Sequence, residues 1–152
     1  MKTLIIILSI FLFPKECNNQ TSIFNKLQER QDTITITYEA ISRGFFEEIS
    51  VSKKSVSISN DVTKKTYETY TISKEDWNTS LGLLSKINLE ELPQLKAPTS
   101  MREYDGAAHA VLIIKDGDKQ IRSSTFDHGY PPTEIKELVE KLQTFKKLSS
   151  KQ

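Results

Sequence analysis

Thr33-Ile34-Thr35-Ile36-Thr37-Tyr38 alternates strictly between hydroxyl-bearing and apolar or aromatic side chains. Successive side chains of an extended chain point to opposite faces, so this segment is a strand with one wet face and one buried face. Such a strand needs neighbours beside it and a covering layer on its apolar side. The next segments supply the neighbours. Gly44 permits a turn or bulge, and Phe45–Val51 reads as a second strand. Ser55–Ser59 follows a Lys53-Lys54 turn, and Thr66–Ile72 follows Asn60-Asp61. Short strands on tight turns form an antiparallel meander.

The covering layer comes from two amphipathic segments. Ser73 followed by Asp76 is a helix start of capping-box type. Trp77, Leu81, Leu84 and Ile87 then make one apolar stripe, with Gly82 as a weak point. Pro131-Pro132-Thr133 opens a second helix, with Ile135, Leu138, Val139, Leu142 and Phe145 on one face. Glu134 and Glu137 lie near its start and Lys146-Lys147 near its end, as the helix dipole favours. Between the helices run an irregular stretch, Asn88–Ala107, punctuated by Pro93 and Pro98, and two strands, His109–Ile114 and Gln120–Phe126. Irregular stretches of that length are more often functional than average. The expectation is an α+β domain over residues 32–149: about six antiparallel strands in the order ββββαββα, with two helices on one face.

The last hairpin gathers the polar residues worth testing. Asp116-Gly117 is a favoured turn pair. If those two form the loop, His128 faces Asp105 and His109 faces Ser124; if Gly117-Asp118 form it, His128 faces Ala107. Either way both histidines come to one open end. Arg43, Arg102, Tyr104, Asp105, His109, Asp127, His128 and Tyr130 are the candidate binding surface, tyrosine and arginine being enriched at binding hot spots. Asp105-Gly106 and His128-Gly129 are also good turn formers, which gives the same residues a purely structural reading. Imidazole and carboxylate could ligate zinc, but no paired-histidine spacing is present. No serine elbow accompanies a possible Ser124, His109, Asp105 triad. No catalytic residue, metal site or cofactor is therefore assigned.

The start of the chain concerns location. Met1-Lys2, the apolar run Thr3–Phe13 and then Pro14-Lys15-Glu16-Cys17 follow the order of a secretory signal. The run is too short for the ~20 residues that span a bilayer. Cys17 is the sole cysteine, so no disulfide can form within the chain. A cysteine directly behind such a run resembles the lipobox of bacterial lipoproteins, which implies a lipid on Cys17. Glu16 departs from the small residue expected there. Plain secretion is the alternative, and it lacks an A-x-A site, the first alanine being Ala40. Residues 1–16 are read as the signal peptide and 17–31 as a tether, a spacer or weak helix with sparse Ile23, Phe24 and Leu27. A lysine- and isoleucine-rich leader, Cys-Asn-Asn and a threonine-rich meander together resemble small uncharacterised lipoproteins of Bacteroidota-type bacteria, a group with no activity to transfer.

Removing residues 1–16 takes two lysines and one glutamate from 21 basic and 20 acidic side chains, leaving 19 of each. That neutrality argues against a nucleic-acid surface, which needs clustered basic excess. The reading is an exported domain, lipid-anchored in the cell envelope, that binds a protein or small-molecule partner. The rival is a small hydrolase or metal-dependent enzyme using His109 or His128 with Asp105 or Asp127.

Overall fold

A computed structural model describes residues 16–149. The element order is α1 (Glu16–Glu29), β1 (Ile34–Ser42), β2 (Phe45–Ser52), β3 (Ser55–Ser59), β4 (Glu68–Thr71) and α2 (Lys74–Leu84). Two 3₁₀ turns follow, Leu92–Gln94 and Met101–Tyr104. Then come β5 (His109–Asp116), β6 (Lys119–Arg122), β7 (Phe126–Asp127), α3 (Thr133–Thr144) and the single turn α4 (Lys146–Ser149). The class is α+β. The signal segment lies outside the described residues apart from Glu16, and no described helix is long and apolar enough to cross a membrane.

The sheet order is β4-β3-β2-β1-β5-β6, with β7 also paired to β5, and every pairing is antiparallel. The alternating segment, β1, lies inside the sheet between β2 and β5. Ile34, Ile36, Tyr38 and Ala40 are buried. Thr35 and Thr37 point the other way and stand opposite Ser52 and Ser50, and Thr37 and Ser50 share a 3.0 Å hydroxyl contact. The apolar side meets Trp77, Leu81 and Leu84 of α2 and Ile135, Leu138 and Leu142 of α3. Each such side chain contributes about 1.5–3 kcal/mol by leaving water. Trp77 keeps its one polar atom satisfied by donating from Nε1 to Gln31 at 3.1 Å.

The α2 start has the capping geometry its sequence announces. Asp76 N donates to Ser73 Oγ at 3.0 Å, and Ser73 Oγ donates to the Asp76 carboxylate at 2.6 Å. Asp76 also pairs with Lys141 of α3 at 2.5 Å, linking the two covering helices. The polar stretch before β1 holds more structure than a spacer requires. Its residues form α1, Leu27 joins the core, Phe24 packs against it, and Gln28 donates to Asn78 of α2 at 3.0 Å. Sparse apolar residues suffice there because α1 rests on α2, touching the core only at its end.

The hairpin takes Gly117-Asp118 as its loop, since Asp116 pairs with Lys119, and Gly117 adopts φ +58°. The Gln120–Phe126 strand divides in two. Ile113 pairs with Arg122 but Ala110 pairs with Phe126, so Ser123, Ser124 and Thr125 stand opposite only Leu112 and Val111. This extra residue is a bulge, and it is built from hydroxyls. Ser123 N donates to Leu112 O at 2.8 Å, while Leu112 N donates to Ser123 Oγ at 3.0 Å. Ser124 turns away from the sheet, its N–H reaching Leu92 O and its hydroxyl Leu95 O. Thus the bulge fastens the first 3₁₀ turn to the sheet.

Gly82 offers a test of how α1 lies on α2. A Cβ added there meets nothing nearer than the Phe24 ring edge at 4.0 Å, an ordinary contact. Gly82→Ala is expected to stabilise the fold by about 0.5–1 kcal/mol, the usual helix-interior difference, as read by urea unfolding. A loss of stability would mean that α1 packs more tightly on α2 than described.

Candidate functional site

The antiparallel order brings the β1–β2 turn, the 60–67 connection, the start of β5 and the 127–132 segment to one end of the sheet. The 98–107 segment joins them there, and one side chain holds it. Asp127 has no exposed surface. It accepts from Thr99 Oγ1 at 2.5 Å, Met101 N at 2.7 Å, and Arg102 N and Nη1 at 3.0 Å each. Arg102 also donates to Thr99 O at 2.7 Å. Asp105 ends the 3₁₀ turn at φ +57°, and Gly106 N returns to Met101 O at 2.9 Å. Burial by itself would raise the Asp127 pKa. The donors from Thr99, Arg102 and Met101 outweigh it and hold the carboxyl at about 2.

Asp127 is therefore corrected from a surface contact to an internal anchor, because all its donors belong to the loop it holds. Arg102 joins that anchor, its side chain only 16% exposed. The other candidates stay outward. Arg43, Tyr104, Asp105, His109 and Tyr130 are exposed, Tyr104 at 81% and Tyr130 at 51%. His109 pairs with Asp127 across the ladder yet lies on the opposite face from the covering helices, beside Ile41. Neither histidine hydrogen-bonds Asp105 or Asp127 among the described residues. Nor does any group of three metal-ligating side chains occur among them.

Six of the seven exposed large apolar or aromatic side chains among the described residues cluster at this end: Ile41, Phe45, Val62, Tyr67, Tyr104 and Tyr130. Only Ile23, on α1, lies elsewhere. Below the rim, Lys64 clamps the 60–67 connection. Its ammonium sits 2.5 Å from Glu39 and 2.8 Å from Glu48, two acids directly opposed in the ladder, and 5.6 Å over the Phe46 ring. Lys64 adopts φ +53° to do so, and the paired acids raise its pKa.

His128 faces the helix layer and brings in residues that the sequence reading did not select. Its main-chain N–H donates to Ala108 O at 2.9 Å, and its Nδ1 lies 2.6 Å from the Tyr38 hydroxyl. The Phe45 ring packs on its imidazole, centroids 5.4 Å apart. Gln143 lines one cavity with Tyr38, and its Nε2 donates to Glu47 at 2.8 Å. Glu47 is buried on the helix side of β2 and pairs with Lys146. Burial and then Glu47 push the Tyr38 pKa up. Burial pulls His128 below its ordinary 6.5, opposed by Glu47 and reinforced by Lys146. At neutral pH this run therefore holds a protonated phenol and a neutral imidazole. Above it lies a cavity of about 350 Å³ bounded by Tyr38, His128, Pro131, Val139, Gln143 and Thr144.

The sequence did carry a signal for Glu47. Adjacent acids in a strand must point to opposite faces, so Glu47-Glu48 inside Phe45–Val51 sends one carboxylate toward the helices. Tyr38 was visible only as the last apolar position of β1. No protein-family model, curated protein or solved structure matches the chain.

The anchor gives a measurable pH signature. A carboxyl held below its unfolded value stabilises the fold fully above about pH 3.8, and that share is lost as pH falls toward 2. Asp127→Asn puts an amide donor among four donors and is expected to cost about 3 kcal/mol at pH 7. Urea unfolding from pH 7 to 2.5 should show the difference between wild type and variant shrinking below pH 4. A constant difference would mean that the carboxylate charge is not what holds the loop.

Proposed function

We propose that this protein is a non-enzymatic binding module of the cell envelope, tethered by a lipid on Cys17, with the loop end of its sheet as the docking face. The observation that carries the docking face is the gathering of six exposed apolar and aromatic side chains there, with Arg43 among them. Scattered surface apolar residues are ordinary, but a gathered patch with polar margins is the usual form of a contact surface. Tyrosine supplies large contact area with few rotors to immobilise, and arginine is likewise enriched at binding hot spots. Asp127 supports the reading by fixing the loop that bears Tyr104, so the patch is ordered before a partner arrives. The occupant that best fits such a surface is a protein.

The tether rests on sequence: an apolar leader ending at Phe13, with the chain's only cysteine four residues on at Cys17. Both parts are testable in cells. Radiolabelled fatty acid should mark the wild-type chain and not Cys17→Ala; equal labelling would refute the lipid anchor. A photo-crosslinking residue placed at Phe45, Tyr104 or Tyr130 should yield one common protein adduct that the same residue at Lys136, on α3, does not. Adducts equally abundant from all four positions would remove the loop end as the docking face.

A further inference from the structure

We propose that the cavity between His128 and α3 is a binding site for a small uncharged ligand with an apolar body and one hydrogen-bond acceptor. This site lies on the helix side of the sheet and adjoins the docking face at Phe45, whose ring packs on His128. Three observations carry it.

The first is the order of protons along the polar run. Tyr38 is fully buried, and its hydroxyl has one hydrogen-bond partner among the described residues, His128 Nδ1 at 2.6 Å, while the Gln143 amide donates to Glu47. A buried phenol proton needs an acceptor, so the Tyr38 hydroxyl donates to Nδ1. A neutral imidazole accepting at Nδ1 must carry its proton on Nε2. That tautomer is assigned by the network around it. No protein acceptor for Nε2 occurs among the described residues, and the ring lines the cavity. A ligand acceptor in the cavity is the partner this N–H suits.

The second is charge. Glu47 is matched by Lys146, and Tyr38 and His128 are neutral. Of the two charged side chains that line the cavity, Glu140 and Lys147, the signs are opposite. An ionised ligand would lose water there without a net counter-charge to replace it. The third is shape. About 350 Å³ is at the small end of the range for ligand sites, and Pro131, Val139 and the Tyr38 ring give it apolar walls.

Benzamide, benzoate and benzylammonium share one body and differ in charge, so they serve as probes. The full chain, ¹⁵N-labelled at its two histidines, is titrated with each at pH 7.5 while the ring signals are followed. His109, on the other face, is the internal control. Benzamide is expected to shift the His128 Nε2 signal saturably in the millimolar range and leave His109 still. Benzoate and benzylammonium should bind at least tenfold more weakly. Thr144→Trp, at an exposed position that narrows the cavity, should abolish the shift, and His128→Phe, followed by binding calorimetry, should weaken benzamide at least tenfold. His128→Gln keeps an N–H donor and should recover part of that loss. The proposal is overturned if benzamide leaves His128 unmoved, if Thr144→Trp binds as wild type does, or if either charged probe binds as tightly as benzamide.

Discussion

Everything in this molecule is arranged around the one-sidedness of β1. A strand inside a sheet with Ile34, Ile36 and Tyr38 on one face and threonines on the other leaves one place for the covering helices. Both β2 and β5 align to it, and the helix stripes then have a single surface to lie on. The hydroxyl face opposite needs no helix over β1, because Thr37 and Ser50 satisfy one another, and at its loop end the 98–107 segment closes over Asp127.

The second constraint is the carboxylate of Asp127. The 98–107 segment has little apolar material of its own, and a connection of that kind usually wanders. Four donors converging on one buried acid replace the missing packing, and they do so with charge-assisted bonds, the stronger kind. The aromatic rim and the ordered loop are therefore one device: the acid inside holds what the tyrosines present outside.

How far the sequence disclosed this differs from part to part for physical reasons. Alternation in β1, the Ser73 cap and the α3 stripe are local signals, and the structure follows them. The meeting of both histidines at one end was legible from the hairpin alone. Their neighbours were not, because residues 123–125 insert one position through hydroxyl bonds that leave no periodic trace. Asp127 looked like a surface acid, since nothing in its immediate sequence shows that Thr99 and Arg102 come to it. The Tyr38–His128 and Glu47–Gln143 contacts tie the first hairpin to residues 90 and 96 positions away, which no local pattern reveals. Glu47 alone could have been suspected, from the parity of two neighbouring acids in a strand.

The bulge at Ser123–Thr125 has a consequence for how this region can change. Inside and outside are assigned along a strand by odd and even count, and one additional residue exchanges them. It is by this exchange that Phe126 falls opposite Ala110 on the helix side and Asp127 opposite His109. Substitutions in these three positions alter only local bonds, whereas a regular continuation of the hairpin without the inserted position would set Phe126 opposite His109 on the outer face and Asp127 opposite Ala108 on the helix side. At this point in the chain, length carries the information and composition merely decorates it.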